Sequence, residues 1–259
     1  MRKIVKWLAA LALGSSLSAC GGGGGGASDG TPPVTQAQLG LLFFGNSHTE
    51  GNDLPATVEA LVRTVRPGKS VGAVRGPGSM FLDERLGHEP SRALLGARRW
   101  SAVVLQAQKY SSSGTVAYST AEAAQWVRLA REGGAVPVLF PEWSRRGVAE
   151  TARILELHES IAAQAPACIA PIPQAWDIAL AANPGLALHA SDGNHANAAG
   201  SMLAAMVIAA TITGDSPAAF GEIASATVDG PTQSRLRAAA AQAVAAHPPR
   251  RLCPADPIP

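Results

Sequence analysis

From about residue 38 onward, short apolar runs alternate with longer stretches of helical periodicity, and no other feature constrains the fold of this chain as much. The runs at 39–44, 70–74, 102–106, 136–140 and 168–172 are too short for lone helices and are bounded by Gly, Pro or polar residues, so they read as buried strands. Between them the pattern predicts helices. One over 55–65 begins with Pro55 in its first turn and stops before Pro67. Ser119-Thr120-Ala121-Glu122 reads as a capping box, opening a helix that Gly133 and Gly134 end. Further helices are expected over 148–164, 197–213 and 232–246, the last so rich in alanine that it reads as a surface helix.

Strands that alternate with helices build βαβ units, and βαβ units build a parallel sheet. The expected fold class is therefore α/β, a three-layer α/β/α flavodoxin-like sandwich around a five-stranded parallel sheet. With 47% hydrophobic and 15% charged residues in a chain of 259, one core and one domain, residues 38–259, account for this region.

The preceding segment has a different character. Arg2, Lys3 and Lys6 stand before an apolar stretch from Trp7 to Leu13, the layout of an export signal, and that stretch is too short to span a bilayer. Leu17-Ser18-Ala19-Cys20 resembles the lipobox of bacterial lipoproteins. Residues 1–19 are thus expected to be a lipoprotein signal peptide and Cys20 the lipidation site, with an ordinary cleaved signal as the alternative. Six glycines follow Cys20, and residues 20–37 have the composition of a flexible Gly-rich tether. The expectation is a protein exported and anchored by its lipid to the bacterial cell envelope, whose membrane partner is reached through that anchor.

Several function classes are disfavoured. The 21 basic and 19 acidic residues form no long run of one sign, so no nucleic-acid footprint is present. There is no His-Glu-x-x-His, no Cys-x-x-Cys and no Walker loop, so neither a metal nor another cofactor is expected. With Cys20 set aside, Cys168 and Cys253 remain, open to a disulfide in an exported chain or to two free thiols. Nothing in the sequence speaks to oligomeric state.

Open α/β sheets bind ligands beyond the carboxyl ends of their strands, so polar residues just after a strand are where chemistry is sought. Gly45-Asn46-Ser47-His48-Thr49 follows the first strand and puts a serine on a strand-to-helix turn. Ser191-Asp192-Gly193-Asn194-His195-Ala196-Asn197 precedes an apolar helix, and its Asp-x-x-His spacing lets a carboxylate hold one ring nitrogen while the other stays free. Asn197 can cap that helix. Val103-Val104-Leu105-Gln106-Ala107-Gln108 is a buried strand ending in amides, groups able to donate to an oxyanion.

In this order the three blocks resemble the SGNH/GDSL hydrolase superfamily, and the resemblance spans nearly the whole expected domain. Within it the chain looks closest to a branch reading Gly-Asn-Ser-x-Thr early and Val-x-Leu-Gln at the third strand. The resemblance implies Ser47 as nucleophile, His195 as general base and then acid, and Asp192 as the residue orienting it. It implies an oxyanion site built from the N–H of Ser47, the side chain of Gln106 and a glycine N–H. That glycine is Gly78, with Gly76 as the alternative, since Pro77 between them has no N–H. Asn46 stands where the family usually has aspartate. Trp143, His88 and His48 are candidate substrate contacts, and Glu142 reads as a residue holding its loop by hydrogen bonds.

The implied function is a serine esterase that hydrolyses a small-molecule or glycan ester by acyl-enzyme chemistry, deacetylation of extracellular or envelope carbohydrate being the finer reading. The alternative is a catalytically silent SGNH-fold lipoprotein that binds glycans or partners at the envelope.

Overall fold

A computed structural model of the chain describes residues 37–225 and 227–259. The signal segment, Cys20 and nearly all of the tether lie outside these residues. Five strands, β1 (Leu39–Phe44), β2 (Val71–Arg75), β3 (Ala102–Leu105), β4 (Val136–Leu139) and β5 (Cys168–Ile169), form one parallel sheet in the order β2-β1-β3-β4-β5. This is the flavodoxin-like order. Interior strand β1 is buried along its whole length, its side chains alternating between two faces that are both covered. Leu39, Leu41 and Phe43 enter one core, while Leu42 and Phe44 enter the other.

The helices complete the outer layers. They are α1 (Ser47–Glu50), α2 (Leu54–Val65), α3 (Leu82–Leu86), α4 (Glu89–Gly96), α5 (Ala121–Glu132), α6 (Thr151–Gln164), α7 (Ile172–Ala182), α8 (Ala198–Thr213) and α9 (Gly230–Ala246). α2, α7, α8 and α9 pack on the face of Leu41 and Phe43, and α3 to α6 pack on the face of Leu42 and Phe44. α8 is buried from Gly200 to its end, which suits a helix apolar on all sides. Among the described residues no helix is long and apolar enough to cross a membrane.

The periodicity does not predict the short helices α1, α3 and α4, and four further departures each have a local reason. β5 ends at Ile169 rather than at residue 172 because Pro171 has no N–H for the ladder, and with Pro173 it instead starts α7, a helix the periodicity does not reveal. The helix expected from residue 148 starts at Thr151, since Glu150 is buried against Arg145 and spends its carboxylate on that loop. Ser119 and Glu122 do not form a capping box: the Ser119 hydroxyl donates to the Glu122 carboxylate at 2.6 Å and accepts from Ala121 N–H, while Thr120 occupies the cap. α9 is only half a surface helix, because Leu236, Ala239, Ala240 and Ala243 bury one stripe of it, where alanines permit close approach to α7 and α8.

Cys168 and Cys253 are joined by a disulfide, with Cα atoms 5.1 Å apart and a sequence separation of 85. The bond ties the C-terminal tail to the outermost strand, and Arg131 reinforces it through an ion pair with Asp256. These two sulfurs and the Asp256 carboxylate lie within ligand distance of one another, but the sulfurs are spent in the bond. A loop of this length restricts the unfolded chain by roughly 4–5 kcal/mol in the chain-entropy model, and such bonds typically return about 2–4. The double variant Cys168→Ala/Cys253→Ala is expected to lose about 3 kcal/mol and to melt roughly 8 °C lower. Calorimetry of the two proteins checks this, and equal melting temperatures would contradict it.

Candidate active site

Ser47 is the first residue of α1, directly past the C-terminal end of β1. Asn46 caps that helix with its side-chain oxygen, which accepts from His48 N–H at 3.1 Å. This is a task an asparagine performs as well as an aspartate. Gly45 has no alternative, because a Cβ there would lie 2.1 Å from Thr49 Oγ1 and 2.3 Å from Gln106 Oε1.

Opposite the turn, the segment before α8 folds back on itself. His189 and Ala196 form an antiparallel bridge, Gly193 takes φ +72°, and Asn197 caps α8 by accepting from Gly200 N–H at 3.0 Å. His195 Nε2 thereby comes to 2.9 Å from Ser47 Oγ, across 148 residues of sequence. His195 Nδ1 lies 2.5 Å from Asp192 Oδ2, and the other carboxylate oxygen accepts the N–H groups of Asn194 at 2.9 Å and His195 at 3.0 Å. The bond to the His195 ring, followed by those two backbone N–H groups, holds the Asp192 carboxyl far below the usual range. An ionised Asp192 requires hydrogen on Nδ1, which leaves Nε2 to accept from the serine hydroxyl.

The remaining candidates divide. Gln106 is wholly buried: its Oε1 accepts from Asn46 N–H and from the Thr49 hydroxyl, both at 2.8 Å, and its Nε2 donates to Glu142. Wholly buried and absent from the cleft wall, this amide is not presented to an oxyanion, so the expected role is corrected to one of holding the Ser47 turn. The chain reverses at Ala107 (φ +75°), and it is Gln108 that borders the cleft, with its amide nitrogen bonded to the carbonyls of Lys109 and Ser119. Gly76 donates its N–H to Phe43 O at 2.8 Å, continuing the sheet ladder. Gly78 is exposed at φ +74°, and among the described residues its N–H is unengaged.

Trp143 is not a substrate wall. It is 2% exposed, stacks on Trp176 with centroids 4.6 Å apart, and donates its indole N–H to Asn194 O at 2.8 Å, bracing the histidine loop from within the core. His88 does not reach the cleft either; it precedes α4, and its Nδ1 lies 2.9 Å from Ser91 Oγ. His48 does border the cleft, although mostly buried, with its ring stacked on that of His195 at 4.8 Å.

Two residues that sequence patterns do not flag hold the site together. Arg85 is wholly buried and among the described residues has no carboxylate partner; its guanidinium donates to Gly45 O (2.8 Å), Pro77 O (2.7 Å), Gly78 O (2.6 Å) and Ser91 Oγ (2.8 Å). It thus fastens the Ser47 turn to the glycine loop. Burial pulls it down to about 10, so it remains a cation at neutral pH. Asn52, at φ +54°, donates to Ala196 O (3.1 Å) and Ser201 Oγ (2.8 Å), joining the Ser47 segment to the histidine loop. In sequence both look like ordinary surface residues.

Ser47 and His195 open into a cleft of about 610 Å³. Phe81, Tyr110 and Tyr118 supply aromatic surface there, while Lys109 and Arg145 supply cations already paired with Asp83 and Glu150.

Several solved structures resemble this one, three of them as follows. A protein from Slackia heliotrinireducens, proposed to be an SGNH hydrolase, is 27% identical, with a TM-score of 0.51 covering 67% of this chain and 98% of that one. A DUF4886 family protein from Bacteroides uniformis is 14% identical, with a TM-score of 0.62 over 81% of this chain and 95% of that one. TesA is 19% identical, with a TM-score of 0.51 over 68% and 99%. No protein-family model and no curated protein matches the chain.

A flavodoxin-like sheet with a serine after its first strand and an Asp-x-x-His before its last core helix defines a class of hydrolases. The fold is that of the SGNH/GDSL hydrolases, and the 27% identity to the Slackia protein supports that superfamily for this chain.

Proposed function

We propose that the protein is a serine esterase working through an acyl-enzyme, with Ser47, His195 and Asp192 as its catalytic residues. The observation that carries this reading is the unbroken relay from Ser47 Oγ through the His195 ring to Asp192, opening on a cleft. Ser47 Oγ attacks the ester carbonyl carbon and its proton passes to His195 Nε2, while the Asp192 carboxylate stabilises the imidazolium. The N–H groups of Ser47 and Gly78 receive the oxyanion. The carbon–oxygen bond then breaks, and the imidazolium protonates the departing alcohol. Water, deprotonated by His195, attacks the acyl carbon and releases the acid and the serine.

The finer reading is removal of small acyl groups, acetyl above all, from extracellular or envelope carbohydrate. Support comes from the cleft, where phenols, an amide and paired charges alternate with apolar surface, a lining suited to hydroxyl-bearing rings rather than to a long alkyl chain. The lipobox ending at Cys20 supports export and anchoring at the envelope. Labelling with a radioactive fatty acid should mark the wild type and not Cys20→Ala.

Rates over an ester series from acetyl to long acyl chains, beside acetylated sugars, test the substrate class. Acetyl esters should be cleaved fastest, and a preference for chains beyond about eight carbons would overturn the carbohydrate reading. A fluorophosphonate probe should label the wild type and not Ser47→Ala; absence of labelling would overturn the esterase.

A further inference from the structure

Behind the catalytic pair lies a polar cluster that the hydrolytic cycle above does not use. Glu142, just past β4, is partly buried, with 17% of its side chain exposed at the cleft. Its Oε1 accepts from Gln106 Nε2, and Gln106 in turn holds Asn46 N–H and the Thr49 hydroxyl, the residues on either side of Ser47 and His48. Its Oε2 faces His48 Nε2 at 3.8 Å. The His48 ring lies nearly parallel to that of His195, at 18°, and meets Trp143 edge-on at 5.1 Å. His48 Nε2 also lies 3.5 Å from the Asn194 amide nitrogen, while among the described residues His48 Nδ1 has no partner. One carboxyl therefore touches both halves of the site, the serine turn through an amide and the histidine through a second imidazole.

We infer that Glu142 is a positioning residue whose negative charge tightens the Gln106 anchor of the Ser47 turn and favours the imidazolium that forms on His195 during acyl transfer. The inference rests on the esterase reading of the same site.

The charge is the operative feature because the geometry allows it to matter. A carboxylate accepts more strongly from the Gln106 amide than a neutral acid does. Two carboxylates then flank the His195 ring, Asp192 in its plane and Glu142 beyond the stacked His48.

The other groups facing this position leave the role to Glu142. His48, on α1, is pulled down to about 4, by burial first and then by His195, and is neutral in the working range. Tyr110, on the loop after β3, is pushed up to about 12, chiefly by burial, and is neutral too. Arg145 is engaged by Glu150, and Asp192 is ionised throughout. Burial pushes Glu142 itself up to about 7, against the opposing pull of Gln106 and His195. Its charge thus appears as pH rises through neutrality.

The test is Glu142→Gln, which keeps the shape and an acceptor for Gln106 but removes the charge. The readout is the rate of fluorophosphonate labelling against pH, which reports the Ser47–His195 pair without a natural substrate. Above about pH 8 the wild type should be labelled about tenfold faster than Glu142→Gln, the effect of a unit charge over roughly 10 Å at an effective dielectric of about 20. Below about pH 6, where Glu142 is protonated, the two rates should converge. Glu142→Asp should recover part of the difference at high pH, which a loss of folding would not permit.

A ratio that stays constant with pH, or equal rates throughout, would overturn the role. A wild type that is never labelled would instead remove the esterase reading, and this inference with it.

Discussion

Alanine in place of Ser47 is expected to lower turnover by roughly 10⁶-fold, because the three members of a triad act as one unit and loss of the nucleophile removes the covalent route altogether. The fold should not register the change. Ser47 is exposed, its hydroxyl engages only the His195 ring among the described residues, and an exposed substitution of this kind alters stability by about 0.5 kcal/mol or less. The α1 cap is unaffected, since Asn46 supplies it. Turnover of an activated acetyl ester, measured beside the melting temperature, separates chemistry from folding. An unchanged rate would sink the assignment, and a large fall in melting temperature would show that the serine is structural.

Arg85→Met carries the largest expected cost in stability. Methionine fills much of the same volume but leaves three backbone carbonyls and the Ser91 hydroxyl without their buried donor. Gly45 O keeps the N–H of Met80 and Ser91 Oγ keeps His88, but four hydrogen bonds to a charged group, each worth about 1.5–3 kcal/mol, are lost; with partial relaxation a net loss of roughly 4 kcal/mol is expected. In a domain of this size that corresponds to a melting temperature lower by about 12 °C. Activity should fall further than stability explains, because Gly45 and Gly78 lose the group that sets their separation. Arg85→Lys is the control: lysine keeps a charge but lacks the planar fork needed to reach several carbonyls at once. It should recover part of the stability and little of the activity. If Arg85→Met melts like the wild type, the guanidinium is not the fastener described above.

The outcome for individual residues follows their range of interaction. Ser47, Asp192 and His195 are legible because each sits in a short block with its own local logic: a turn after a strand, an Asp-x-x-His hairpin, an asparagine cap. Gln106 is misread because its block predicts only that an amide ends the strand; which partner takes that amide depends on Asn46, Thr49 and Glu142, from three other parts of the chain. Trp143 is misread for the same reason. An indole after a strand looks like a cleft wall until Trp176 and the histidine loop close over it. Arg85 gives no signal at all, and Glu142 only that of a residue holding its own loop, since a charged residue in a polar stretch has the same pattern whether it is solvated or sealed in.

The sequence by itself determined the α/β class, the five strands, the strand-to-helix turn that carries the serine and the hairpin that carries the histidine. All of these depend on periods and caps spanning a few residues. Only the tertiary structure decided which amides and charges would be buried, that Cys168 would meet Cys253, and that Ser47 would lie within a hydrogen bond of His195. Those outcomes depend on contacts between segments distant along the chain, where a side chain's partner is set by the packing of the layers and not by its neighbours in sequence.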